Sequence, residues 1–487
     1  MRSDSQQLLD ANVTEVGKRS IQGVFLQFAS GAMALVSIIL LARLLEPSDF
    51  GIVATLAPLV AFVQMFKRLG LTAAIVQAEM LDENEVSVYF WLQLILGALL
   101  GSGLALIGPL WADFMVDPRL KSLAIAMGAI AFIETVGGIH DALLRRNLLF
   151  GRLSSIQILG LSIGLVAALA AYVAGLGYWS LVVQQATNSV VVAIGMWLLC
   201  PWRPNIPRKM EFEKLKGIVL GGSLTISQIC EYIRRNSDLF MIRLYAGEEQ
   251  LGYYSNGYRL VMTPTSQIMR PLMSVTLPML SRKRDSDEYQ SCFESVFLFC
   301  IVAAVPAGVF TLLFPESVVS LGLGTKWTEA VPIVRGLGIL SLVIPIGNCL
   351  SVNLIVYRKT RAILMVSVIA LVVVLAAFYL GIQHSVVTLI HYYAATMTAF
   401  VTFYIVYVTR ISPISGIRLL KIAIPPLGMM FACGLTVLIG DKFLELEPGQ
   451  FSIAIANFIA FVVLYGLSLF VTGYGSHAMR LLRRKDG

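Results

Sequence analysis

Residues 20–41 read SIQGVFLQFASGAMALVSIILL, twenty-two consecutive positions without one charged side chain. Crossing about 30 Å of hydrocarbon takes ~20 apolar residues in a helix. This stretch is therefore read as a membrane span, and the chain repeats the pattern at 86–110 and 154–174. Working outward, the spans read 20–42, 51–77, 86–110, 120–144, 153–175 and 178–200. They resume at 217–245, 251–280, 292–314, 331–357, 362–382 and 386–409, then 417–440 and 450–474. The expectation is an all-α polytopic membrane protein of about fourteen transmembrane helices. Composition agrees: apolar residues make up 57% and charged residues 14%, against ~25% charged in soluble domains. The polar stretches are too short to hold a soluble catalytic head or a nucleotide-binding domain.

Charge placement sets the expected orientation, because Lys and Arg accumulate in short cytoplasmic loops. Of the 37 basic residues, 26 fall near residues 2–19, 67–68, 145–152, 203–216, 282–284, 358–361, 410–421 and 480–485. The alternate loops hold six: Arg43, Arg119, Lys121, Arg243, Lys326 and Lys442. Both termini are expected in the cytoplasm. The net charge of +8 comes from dispersed short loops and forms no single basic face, so nucleic acid is not an expected partner. Residues 1–20 carry no apolar segment ending in a small-residue cleavage site, so the first span is expected to act as an uncleaved insertion signal. The six cysteines, at 200, 230, 292, 300, 349 and 433, have no CxxC spacing and read as small buried thiols.

An internal repeat relates two sets of six spans. Residues 42–51 (ARLLEPSDFG) and 242–252 (IRLYAGEEQLG) each place an Arg-Leu helix end before an acidic turn and an apolar-Gly start. Basic residues recur in the following span, Lys67 and Arg68 in one set and Arg270 in the other. Six intervening spans is an even number, so the two lobes would insert in the same orientation. Their pseudo-twofold would run along the membrane normal, with a site where they meet. The expected organisation is 1–200 as a first lobe, 201–216 as a basic cytoplasmic loop, 217–410 as a second lobe, and 411–487 as two final helices and a tail.

The stretches 41–51 (LARLLEPSDFG) and 69–77 (LGLTAAIVQ) resemble the polysaccharide transport family. That family belongs to the superfamily that also holds the MATE exporters and the lipid II flippase. Asn236-Ser237-Asp238, residues 251–260 (LGYYSNGYRL), 277–281 (LPMLS) and 324–330 (GTKWTEA) carry the resemblance further. Within the family it looks similar to the branch of colanic-acid-type exporters. The resemblance implies a flippase of the cytoplasmic (inner) membrane, moving an undecaprenyl-pyrophosphate-linked oligosaccharide between leaflets for exopolysaccharide, O-antigen or capsule synthesis. Its implied partners are that substrate, membrane lipids and polysaccharide polymerase or export machinery. The alternative is a MATE-like cation-coupled drug antiporter. A membrane glycosyltransferase or polysaccharide ligase is a further competitor, but it would need a larger extracytoplasmic loop than residues 315–330.

Charges inside spans cost ~2.5–3.5 kcal/mol each on insertion scales and normally face a cavity or a partner. In the seventh span Glu231, Arg234, Arg235 and Asp238 fall at i, i+3, i+4 and i+7, one helix face, which Gln228 extends. The stripe reads two ways: a self-neutral ladder joining helices, or the polar wall of a cavity in which planar guanidinium groups hold pyrophosphate. Arg259, Arg270 and Tyr258 on the eighth span, with Lys67 and Arg68, are further candidates for pyrophosphate or headgroup binding. Tyr253 and Tyr254 read as interfacial anchors. Glu134 is the candidate for proton or Na⁺ coupling, since removal from water disfavours a carboxylate's charged form; a structural pairing is the competing reading. Asp141 shares its face across Gly137 and Gly138, and His140 reads as a helix-end residue. Gln22, Gln27, Ser30, Gln184, Gln185, Asn188, Asn348 and Asn353 offer amides and a hydroxyl for sugar or for helix contacts. Pro264, Pro271 and Pro278 are expected to kink the eighth span. The sequence holds no GxxxxGK[ST], GxSxG or HExxH motif, so neither ATP, a cofactor nor an enzymatic reaction is expected.

Overall fold

The computed structural model describes residues 13–67, 75, 83–147, 149–206, 222–284, 286, 288–444 and 450–474. Among them the chain is all helical. A helix keeps every backbone bond within its own segment, the condition for crossing lipid. In chain order the helices are α1 (Val13–Leu44), α2 (Pro47–Thr55), α3 (Ala57–Lys67), α4 (Glu83–Phe114), α5 (Arg119–Val136), α6 (Gly138–Arg146), α7 (Phe150–Val173) and α8 (Trp179–Leu199). They continue as α9 (Gly222–Arg282), α10 (Tyr289–Leu313), α11 (Pro315–Gly322), α12 (Val331–Val356), α13 (Thr360–Ile382), α14 (Val386–Ile411), α15 (Gly416–Phe443) and α16 (Phe451–Thr472). A 3₁₀ turn, Thr325–Ala330, precedes α12.

Eleven spans among the described residues are long and apolar enough to cross a membrane. The count is twelve if the pair Pro47–Thr55 and Ala57–Met65, bent by 42°, is one span. The protein is thus a multi-pass membrane protein. The α9 helix stands apart because charged residues run through it, and it bends at Gly247 (φ 87°). That left-handed backbone is open to glycine at little cost. The three prolines expected to kink this segment lie inside helix, and the only non-helical backbone in α9 is at Gly247. Hydroxyls beside Pro264 serve neighbouring carbonyls: Thr263 donates to the Arg259 carbonyl at 2.5 Å and Ser266 to that of Thr263 at 2.8 Å.

The chain forms two compact units: Met1–Ser37 with Asp49–Thr225, and Ile38–Ser48 with Ile226–Gly487. In the first, α4 packs on α5 and α7 on α8. The α4–α5 crossing has Gly101 and Gly128 face to face, where a Cβ on either would overlap the other's carbonyl. Small residues allow such close approach where lipid supplies no hydrophobic drive. In the second unit α10 packs on α12 and α12 on α14. Phe293, Val296, Ile301 and Val305 of α10 are fully enclosed with Cys349 and Leu350 of α12. The turn after α1 belongs to this unit. Trp327, wholly buried, donates its indole N–H to the Ala42 carbonyl at 2.8 Å, and Lys326 pairs with Glu46 at 2.7 Å. Residues far apart in sequence thus close this end of the unit.

Candidate functional site: a charged cavity along α9

The stripe on α9 faces a cavity of about 640 Å³ within the second unit. Glu231, Arg234, Arg235, Asp238, Tyr258 and Arg270 of α9 line it, with Asn348 of α12 and Tyr393 and Tyr404 of α14. Helical periodicity brings the first four to one side, since i, i+3, i+4 and i+7 lie within a narrow arc. Further along α9, Met262, Thr265, Ser266, Met269 and Met273 continue the wall.

Glu231 serves both arginines. Arg234 grips it with two N–H groups, at 2.7 and 2.9 Å, and Arg235 bonds the same oxygen as the shorter of these. The side chain of Arg234 is 14% exposed and that of Arg235 60%, so one guanidinium is packed in the wall and the other reaches the open space. Arg234 also donates to the Tyr393 hydroxyl at 3.3 Å. Asp238 makes its hydrogen bonds outside this pair of arginines. It is buried and accepts the Tyr254 hydroxyl at 2.5 Å and the Leu239 N–H at 2.8 Å. Arg270 lines the cavity with an exposed side chain and, among the described residues, no ion pair. Glu231 and Asp238 balance Arg234 and Arg235, and Arg270 leaves the cavity one positive charge in excess. An aromatic and amide rim of Tyr258, Tyr393, Tyr404 and Asn348 flanks these cations, with Tyr404 donating to Ser351 at 3.2 Å. The arrangement can hold an anion by charge-assisted bonds and present ring faces and amides to a polyol.

Several expected site residues lie elsewhere. Arg259 is exposed on the second unit outside the cavity lining, about 100° around the helix from Tyr258. Gln228 is exposed and also outside it. Asn353 is fully buried, accepts the Tyr289 hydroxyl at 2.6 Å and donates to the Leu350 carbonyl, so it joins helices. Tyr253 and Tyr254, read as interfacial anchors, are both buried. The reason is tertiary: Tyr254 is committed to Asp238, and Tyr253 donates to Glu249 and meets Trp327 edge-on at 5.8 Å. The Lys67 side chain, the Gln22 side chain and Arg68 lie outside the described residues.

The amides expected from the other half belong to the first unit. Gln27, Gln185 and Asn188 are half-buried, and Asn188 packs against Gly160. Ser30 bonds back to the Gln27 carbonyl at 2.8 Å, and Gln184 donates to Ser37. Glu134 on α5 accepts hydrogen bonds from the Gln64 amide and, at 3.3 Å, from the Ser189 hydroxyl. Its helix ends at Val136, one residue before α6, in which Asp141 pairs with Arg145 at 2.7 Å. His140 is wholly buried among Phe90, Trp197 and Trp202, with ring centroids 4.8–6.2 Å away.

Sequence reasoning missed Tyr393 and Tyr404. A signal was present: Tyr393, Met397, Phe400 and Tyr404 follow i, i+4, i+7 and i+11 on one face of α14. That spacing alone does not tell a cavity wall from a packed face.

A profile of the polysaccharide biosynthesis protein family matches residues 40–332. The succinoglycan biosynthesis transport protein ExoT of Rhizobium meliloti (strain 1021) is 25% identical over 317 residues, 64% of this chain and 62% of that protein. The teichuronic acid biosynthesis protein TuaB of Bacillus subtilis (strain 168) is 23% identical over 294 residues, 58% and 59%. The matched stretch thus spans about six tenths of the length of these two relatives. The lipopolysaccharide biosynthesis protein WzxC of Escherichia coli (strain K12) is 20% identical over 323 residues, 65% of each chain. Among solved structures, the lipid II flippase MurJ in an inward closed conformation superposes with a TM-score of 0.67 at 13% identity, covering 95% of this chain and all of that one. An inward-facing multidrug resistance MATE transporter of the MOP superfamily gives 0.65 at 16% identity, covering 83% and 99%. These two establish the fold. A profile match over more than half of the chain, on a helical frame shared with MurJ and MATE transporters, makes the protein a member of the polysaccharide biosynthesis protein family.

Proposed function

We propose that the protein is a flippase for a lipid-linked oligosaccharide, carrying an undecaprenyl-pyrophosphate-bound glycan from the inner to the outer leaflet of the cytoplasmic membrane. It is a transporter and not an enzyme, with both termini in the cytoplasm. The observation that carries this reading is the α9 cavity, in which Arg235 and Arg270 reach open space beside Tyr258, Tyr393 and Asn348. Pyrophosphate leaving water needs compensating cations, and planar guanidinium groups supply paired N–H bonds. Tyrosine faces and the amide suit the sugar. In an alternating-access cycle the glycan's charge would ride on these residues while the lipid tail stays in hydrocarbon. Glu134, the carboxylate on α5, is the proposed coupling site for H⁺ or Na⁺. Relatives named for succinoglycan, teichuronic acid and lipopolysaccharide biosynthesis support the substrate class.

A drug antiporter of the MATE kind shares the fold, but it needs free acidic groups for cationic cargo. In this cavity Glu231 is held by two arginines and Asp238 by Tyr254. The test uses a strain lacking the protein, complemented with wild type or with Arg270→Ala. Accumulated lipid-linked oligosaccharide and lost export, restored by wild type and not by R270A, is the expected outcome. Unchanged intermediates with altered sensitivity to cationic drugs would overturn it.

A further inference from the structure

A second concavity, about 690 Å³, opens on the second unit at the end of α1. Arg43, Ser320, Thr325, Thr328, Gln450 and Phe451 contribute its chemistry. Its two other charged residues are already paired, Lys326 with Glu46 at 2.7 Å and Glu316 with Arg335 at 2.9 Å. Among the described residues Arg43 has no carboxylate partner. One of its N–H groups bonds the Leu321 carbonyl at 3.0 Å, and the guanidinium lies 5.2 Å from the Phe451 ring centre. A guanidinium carries five N–H donors, so the described residues leave most of this fork open. It is held in place by a carbonyl and a ring, and hydroxyls and an amide stand around it.

Chain direction places the cleft. α10 ends, α12 begins, α15 ends and α16 begins at this face. The opposite ends of the same helices carry Arg282, Lys283, Arg284, Arg358, Lys359, Arg361, Arg410 and Arg418. By the positive-inside rule the cleft opens away from the cytoplasm. Phe451, 52% exposed, begins an apolar face on α16 that continues through Ile455 and Ile459, also exposed. A charged headgroup in the cleft would therefore have its acyl chains beside a lipid-facing helix.

The geometry points to a site for the phosphate of an outer-leaflet anionic lipid, held by Arg43 and capped by the Thr325 and Ser320 hydroxyls. The assignment is independent of what the α9 cavity carries. The test is native mass spectrometry of the full chain in detergent micelles, offered dioleoyl-phosphatidylglycerol or dioleoyl-phosphatidylcholine. Wild type retains one phosphatidylglycerol about tenfold better, the value of one charge-assisted contact. R43Q brings the two lipids to parity. T325D does so too, by setting a carboxylate against the fork, and it leaves both anchors of Arg43 intact, so it decides the matter should R43Q fold poorly. Equal retention of the two lipids by wild type, or a preference that survives in T325D, overturns the proposal. So does displacement of the lipid by an equal concentration of inorganic phosphate, which would mark a general anion site. The R270A export test reads the α9 cavity separately, so the two ideas fail by different measurements.

Discussion

Glu231 in the second unit and Glu134 in the first are both carboxylates within membrane helices, and the fold settles them differently. Glu231 sits between Arg234 and Arg235, and its charge is cancelled by groups on its own helix. Glu134 draws on an amide from α3 and a hydroxyl from α8. Asp238 falls between the two cases: buried seven residues from Glu231, it depends on a phenol and a backbone N–H. A local ion pair can be assembled by one helix. A carboxylate met by neutral donors needs neighbours supplied by other helices.

The contrast can be broken most directly at Glu231. Glu231→Ala leaves Arg234 packed in the wall with only the longer Tyr393 contact. We expect a loss of about 2–3 kcal/mol in detergent unfolding, below the ~3–5 of a fully buried pair because Glu231 is 41% exposed. Wild-type stability in E231A would mean that the wall does not depend on the pair. Tyr254→Phe removes the hydroxyl from buried Asp238 and should cost about 1–3 kcal/mol, read by the same unfolding assay.

Smaller effects sharpen the comparison. Tyr393→Phe loses only a 3.3 Å contact to Arg234 and should change stability by about 0.5–1 kcal/mol. Its signature belongs in transport: a higher apparent KM for the lipid-linked glycan with maximal rate retained. Glu134→Gln keeps an acceptor for Gln64 and offers a donor to Ser189, so stability should stay within about 0.5 kcal/mol of wild type. Flipping in proteoliposomes should nevertheless lose its stimulation by an H⁺ or Na⁺ gradient. Retained stimulation would return Glu134 to a structural role.

The face on α9 was readable because helical periodicity is a local property. Residues at i, i+3, i+4 and i+7 share a side wherever the helix is placed. The same periodicity could not tell that Arg259 lies outside the cavity while Arg270 lines it. Nor could it separate Asn348, in the wall, from Asn353, five residues on and sealed against Tyr289. Tyr254 shows the limit most clearly: an aromatic near a helix turn suits an interfacial belt, and only Asp238, sixteen residues away, makes it interior.

The sequence alone determined that this chain lives in lipid, that helices carry it across, and that one helix presents alternating acids and bases along one face. Those follow from hydropathy, backbone hydrogen bonding and the helical repeat, each decided within about twenty residues. Tertiary structure decided the partners. Trp327 reaches Ala42 across 285 positions and Arg43 reaches Leu321 across 278. Gln64 and Ser189 converge on Glu134 from opposite directions along the chain. Apolar periodicity says which side of a helix is polar, but a polar group's role is fixed by the atoms that meet it, and here those atoms come from distant parts of the chain.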